Sequence, residues 1–223
     1  IYYLLKQFKP TLKMYSQGST FESINKKTLE LFDIPLPPLP EQKKIATILS
    51  TVDKALEKTT MIIDKTKRLK KGLMQRLLTK GIGHEDFKEV RILGKKQLIP
   101  ANWELTKLSN LVKIRSGYSP SKFNLFDRGE FPFIKVNDMN FAHKYIAKAA
   151  LYFNESDYKL FSGGTVIFPK RGAAISTNKV NIIDNEALCD TNIMGLISKT
   201  NLLSEYLFYF IQDLGLWQFA DTT

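Results

Sequence analysis

The 223 residues carry 33 Lys and Arg against 22 Asp and Glu, a formal charge of +11, with 43% hydrophobic residues, two histidines and one cysteine. This composition fits a folded chain of one sizeable domain plus an extended element, and it excludes a disordered chain, an internal disulfide and, with apolar runs of only a few residues, a spanning helix. So basic a chain attracts polyanions, nucleic acid first; a membrane surface would call for aromatic residues on a basic amphipathic helix, and the strongest basic run lacks them. With no signal-peptide pattern at the start, the expected compartment is the cytoplasm.

In chain order, residues 2–20 align with residues 205–223. Tyr3 falls on Tyr206, Leu4 on Leu207 and Thr20 on Thr223, and both segments read as a Tyr/Leu/Phe-rich helix followed by a small polar turn. Taken as a tandem repeat, the alignment expects residues 21–40 to match the segment beyond Thr223 in a complete copy.

Pro35, Pro37, Pro38 and Pro40 suit the turn before a helix, and Gly81 and Gly83 suit its end. Between them, residues 41–79 hold no proline, and Ile45, Ile48, Val52, Ala55, Thr59, Ile62, Thr66, Leu69 and Leu73 recur at alternating spacings of three and four. That is the stripe of a helix lying along another helix; Leu49, Leu56 and Ile63 widen it enough for more than one neighbour. At 1.5 Å per residue such a helix is on the order of 60 Å long. Its interface residues are expected to be Ile45, Ile48, Val52, Leu56, Ile62, Leu69 and Leu73, covered by another chain or another segment. The opposite face carries Lys65, Lys67, Arg68, Lys70 and Lys71, which read either as a solvated face or as a contact for phosphate or an acidic partner.

A basic, glycine-containing stretch (81–96) reads as a linker. Beyond it, short apolar segments predict strands over 112–115, 133–136, 165–168, 180–183 and 193–197 and helices over 108–111, 155–160 and 203–216. Strands and long helices do not alternate, so the fold class is α+β. Three turns carry groups able to reach DNA. Ser116 and Tyr118 offer a hydroxyl and an aromatic ring; Lys135, Asn137 and Asp138 offer ammonium, amide and carboxylate; Lys170, Arg171, Ser176, Thr177, Asn178 and Lys179 form the most basic and polar loop. Lys and Arg suit guanine acceptors or phosphate, Asn suits adenine, and Asp suits the cytosine amine. The structural alternative stands beside each: Gly117 and Gly172 serve positive φ, and Asn137 or Asp138 caps a turn.

Catalytic motifs are missing. Gly163 and Gly164 run into Thr-Val-Ile rather than a phosphate loop, and His84, His143 and Cys189 lack metal-ligand spacing. Cys189 reads as core. Asp184, Glu186 and Asp190 read as solvated turn carboxylates rather than a nuclease centre. The expectation is a non-enzyme without metal or cofactor.

The run Ile34-Pro35-Leu36-Pro37-Pro38-Leu39-Pro40-Glu41-Gln42-Lys43-Lys44-Ile45-Ala46 closely resembles the junction of recognition domain and conserved helix in specificity subunits of type I restriction-modification systems. Residues 67–79 at the helix end, Ile99-Pro100-Ala101-Asn102-Trp103 and Ser116-Gly117-Tyr118-Ser119-Pro120 extend the likeness over most of the chain. The resemblance implies that residues 1–40 are the C-terminal part of a first target-recognition domain and that 41–80 are a spacer and dimerisation helix. Residues 97–223 would then be a second, incomplete recognition domain. It further implies a subunit that reads one half of a split target in double-stranded DNA and docks modification (methyltransferase) subunits and, through them, a restriction subunit, the S-adenosylmethionine chemistry lying in those partners. A second copy or repeat is expected to pair with the helix in antiparallel fashion. The rival reading from the residues is a coiled-coil protein adaptor that does not read DNA.

Overall fold

A computed structural model describes residues 26, 30, 33–92, 94–154, 158–199 and 201–219. The similarity between the chain ends rests mostly on residues 1–25, outside the described residues. Helix α1 runs unbroken from Leu39 to Lys80, 42 residues, with none of its side chains buried. It opens two residues earlier than the sequence predicts because the Pro38 carbonyl accepts the N–H groups of Glu41 (2.9 Å) and Gln42 (3.0 Å). Pro40, with no N–H to satisfy, fits that first turn. Gly81 closes the helix at φ +64, its N–H donating to Leu77 O. The chain divides within α1 into two compact units, residues 1–64 and 65–223.

In the second unit a hairpin comes first, β1 (Phe87–Ile92) paired antiparallel with β2 (Lys95–Pro100) and turning at Gly94, φ +78. The sequence reading missed these strands. Phe87, Val90 and Ile92 do not alternate, and β1 is mostly exposed, so hydrophobic period gives no signal there.

Then come α2 (Leu108–Leu111), β3 (Val112–Ser116), β4 (Phe131–Ile134), β5 (Tyr145–Ile146), β6 (Leu151–Phe153) and β7 (Val166–Pro169). The chain continues through α3 (Ala173–Ser176), β8 (Asn181–Ile183), β9 (Leu188–Cys189), β10 (Ile193–Ser198) and α4 (Ser204–Leu214). The mixture of helix and sheet is the expected α+β class. Two sheets form, in the orders β3-β10-β7-β8-β5 and β6-β4-β9. The predicted 155–160 helix is not borne out over its described part: residues 158–160 are non-helical, and 155–157 lie outside the described residues.

The central strands are apolar without alternation because both faces are covered. Val166, Phe168 and Ile182 pack with Leu207, Phe208 and Ile211 of α4. Their neighbours Ile167 and Ile183 face the other way, into a cluster with Ile134 of β4 and Cys189 of β9. Cys189 is fully buried, as its apolar surroundings predict. No described helix is long and apolar enough to cross a membrane.

Candidate nucleic-acid interface

Register decides which loops meet. β10 is antiparallel to β3 (Met194 opposite Ser116) and to β7 (Ile193 opposite Pro169), so the ends of β3 and β7 lie beside the start of β10. β8 is antiparallel to β7 and parallel to β5, which brings the starts of β8 and β5 to the same edge. In the smaller sheet β4 and β9 are parallel and end there too. Residues 117–119, 135–144, 170–180 and 190–192 therefore share one edge of the fold.

The turn at Asp190 ties them together. Tyr118 N–H donates to Cys189 O (2.8 Å), Asp190 N–H to Ile134 O (2.8 Å), Gly117 N–H to Ile193 O (3.1 Å) and Lys170 N–H to Asn192 O (2.9 Å). Asp190 itself is 8% exposed, and its Oδ1 accepts the backbone N–H (2.7 Å) and side-chain amide (2.8 Å) of Asn192. This corrects the expectation of a solvated carboxylate: three converging strands enclose it. Asp184 and Glu186 are exposed at the opposite edge.

Each residue nominated from sequence has a definite place. Ser116 Oγ accepts a hydrogen bond from Lys170 Nζ at 2.8 Å, joining the first and third loops across β10. The half-buried Tyr118 ring meets Phe123 and Tyr158 edge-on, each 5.9 Å away. Lys135 and Val136, read as the end of a strand, lie in a turn. There Asp138 accepts the N–H of Lys135 on Oδ2 (2.7 Å) and that of Ala150 on Oδ1 (3.0 Å). Both Asp138 oxygens thus serve the backbone, which is the structural alternative for that residue. Asn137 is exposed, its Oδ1 accepting from the Asn140 amide at 3.0 Å.

In the basic loop Arg171 is exposed and Lys179 half-exposed. Ser176 and Thr177 donate their hydroxyls to the carbonyls of Ala173 and Ala174, both at 2.6 Å. Asn178 holds positive φ (51) and donates its amide to Gln212 O of α4 at 2.7 Å. These three residues shape the loop, while Lys170, Arg171 and Lys179 give it charge. The edge carries Lys135, His143, Lys144, Lys170, Arg171 and Lys179, and both of its acids, Asp138 and Asp190, are engaged by N–H donors.

Sequence reasoning missed two features. Arg115, one residue before the first loop, has all three guanidinium nitrogens buried without a hydrogen-bond partner, and burial pulls its pKa down. Phe141 stands 83% exposed in the second loop. Neither has a periodic signature, since one is a polar residue turned inward and the other an apolar residue turned outward.

On the long helix, Ile45 (43% exposed), Ile48 (63%), Val52 (53%), Leu56 (61%), Ile62 (64%), Leu69 (62%) and Leu73 (46%) keep the stripe on the surface. Lys70, on the face that reads either as solvated or as a contact for phosphate or an acidic partner, donates to Gln212 Oε1 (3.3 Å), and its Nζ stands 5.7 Å from the Tyr209 ring centre. His84 is half-buried edge-on to Trp103, with ring centroids 6.2 Å apart. Among the described residues no group of three or more His, Cys, Asp or Glu could hold a metal ion.

The family model for the type I restriction modification DNA specificity domain matches residues 1–65 and 100–218. The chain belongs to this family. Among relatives of this specificity family, the type I restriction enzyme MjaVIII specificity subunit of Methanocaldococcus jannaschii is 30% identical over 223 residues, 96% of this chain and 51% of the relative. The MjaIX specificity subunit of the same organism is 28% identical, over 94% of this chain and 50% of its own length. The chain thus spans about half the length of these curated relatives. The crystal structure of the HsdS subunit from Thermoanaerobacter tengcongensis shares the fold at TM-score 0.53 and 18% identity, covering 97% of this chain and 52% of that one. The type I restriction-modification S subunit from M. genitalium does so at TM-score 0.55 and 17% identity, with 99% and 55% covered.

Proposed function

We propose that residues 97–219 form a target-recognition domain that reads one half of a split site in double-stranded DNA. In this reading the chain leaves the chemistry to modification subunits. The observation that carries it is the convergence of four loops on one edge that gathers Lys135, Lys144, Lys170, Arg171 and Lys179 while both of its acids are engaged by N–H donors. Phosphate neutralisation supplies affinity and register, and side chains such as Asn137, Tyr118 and Arg171 are then free to meet base edges. Residues 41–80 are the spacer, and their exposed stripe is a pairing surface for a second copy or repeat in antiparallel orientation. Paired helices would also carry the docking surface for modification subunits and, through them, a restriction subunit.

The test is fluorescence anisotropy of a labelled random-sequence duplex over a range of salt concentrations. Lys170→Ala with Arg171→Ala is expected to weaken binding and to reduce the salt slope by about 1 for each phosphate no longer neutralised. A double variant with unchanged affinity and slope would remove that loop from the interface. A wild-type chain that binds modification subunits but never DNA would favour the adaptor reading.

A further inference from the structure

We infer that Phe141 is an aromatic wedge that inserts at a base step of the bound duplex. The inference rests on the DNA-binding reading of the edge and adds an interaction that charge alone does not supply. Phe141 is 83% exposed, more than Leu36, Ile82 or Leu203, although folding gains from burying a phenyl ring. The backbone on either side explains how it is held outward. Met139, two residues earlier, is buried at 2% in the cluster with Ile134 and Ile146. Ala142, the next residue, packs on that cluster, and its carbonyl accepts the Asn181 amide at 3.3 Å. Between these anchors a 3-10 turn (Asp138–Asn140) ends with Phe141 N–H donating to Asp138 O at 3.1 Å. The two carboxylate bonds of Asp138, to Lys135 and Ala150, fix the turn's base. An outward ring on so braced a support is already ordered, so little conformational entropy is lost when it binds.

The chemistry around the ring selects its occupant. The 135–144 loop enters β5 beside the start of β8, on the edge that gathers Lys135, Lys144, Lys170, Arg171 and Lys179. Lys144 Nζ lies 4.9 Å from the Tyr209 ring centre and 5.2 Å from that of Tyr145, so this cation is held in place near the loop. A polyanion fits these charges, and a duplex is a polyanion that also offers flat apolar faces wherever a base step unstacks. Apolar side chains that enter base steps in this way unstack and bend the helix.

The experiment uses the whole chain and an end-labelled random-sequence duplex, read by anisotropy and by energy transfer between the ends. Phe141→Ala is expected to weaken binding about tenfold or more, with the salt slope unchanged and the DNA bend reduced. Phe141→Trp should restore both affinity and bend. Binding and bending by Phe141→Ala equal to wild type would overturn the wedge. So would normal DNA binding with a selective loss of association with modification subunits, which would make the ring a protein-binding group. Should Lys170→Ala with Arg171→Ala weaken binding while Phe141→Ala does not, the wedge alone fails. Should the wild-type chain bind no duplex, the DNA reading fails and the wedge with it.

Discussion

The guanidinium carbon of Arg115 lies 3.8 Å from the centre of the Phe161 ring. Gly195, opposite Arg115 in the β3–β10 register, makes room for that ring, because a Cβ there would overlap it. The contact returns about 0.5–2 kcal/mol as a cation–π interaction. A buried charge without hydrogen-bond partners costs several kcal/mol, so the balance is unfavourable. Arg115→Met keeps the length and the ring contact and removes the charge. It should leave the fold as stable or more stable by about 1 kcal/mol in denaturant titration. A loss beyond about 2 kcal/mol would mean that the guanidinium has a stabilising partner.

Gly117 sits where the first loop meets the Asp190 turn. A Cβ at this position would overlap the carbonyl oxygens of Cys189 and Asp190, both backbone atoms with no rotamer to change. Gly117→Ala is therefore expected to destabilise the chain by about 3 kcal/mol, measured as a lower urea midpoint at constant slope. Gly83, where an added Cβ meets nothing within 4 Å, is the control, although its φ of +69 still carries some strain.

Cys189 is held protonated. Burial pushes its thiol well above the ordinary value of 9.0, outweighing the opposite pull of Arg115, while Asp190 pushes the same way as burial. A raised folded pKa means that the stabilisation is complete below the unfolded pKa and is lost as pH climbs past it. Above pH 9.0 the unfolded thiol ionises while the folded one does not. Wild type should then lose up to about 1.4 kcal/mol per pH unit more than Cys189→Ala. Native protein should also resist thiol reagents that label it in denaturant; rapid native labelling would contradict the buried position.

The helix stripe gives a prediction about assembly. Val52→Asp with Leu56→Asp places two charges on the exposed seam of α1. Light scattering should show wild type as a dimer at micromolar concentration and the double variant as a monomer. A monomeric wild-type chain would remove self-pairing as the seam's partner.

Elements with a strong local signal were legible in the sequence. The proline cluster and three-four spacing announce α1, and α2, β3, β7, β8 and β10 fall close to their expected places. The site was legible only in part. Lys170, Arg171 and Ser116 could be nominated by chemistry, but their meeting depends on β10 lying between β3 and β7, a pairing no local pattern encodes. Asp138 shows the opposite limit, since composition cannot tell a carboxylate facing a base from one holding two backbone N–H groups. β5, β6 and β9, only two or three residues each, are too short for hydrophobic period to register.

One edge of the sheet, and not the other, is expected to meet duplex DNA. Hydrogen–deuterium exchange of the chain with and without duplex measures this directly. Protection is predicted in residues 117–119, 135–144, 170–180 and 190–192, with none at the opposite edge in residues 162–164 and 184–186. Protection confined to that opposite edge, or no change anywhere while the duplex is bound, would contradict it.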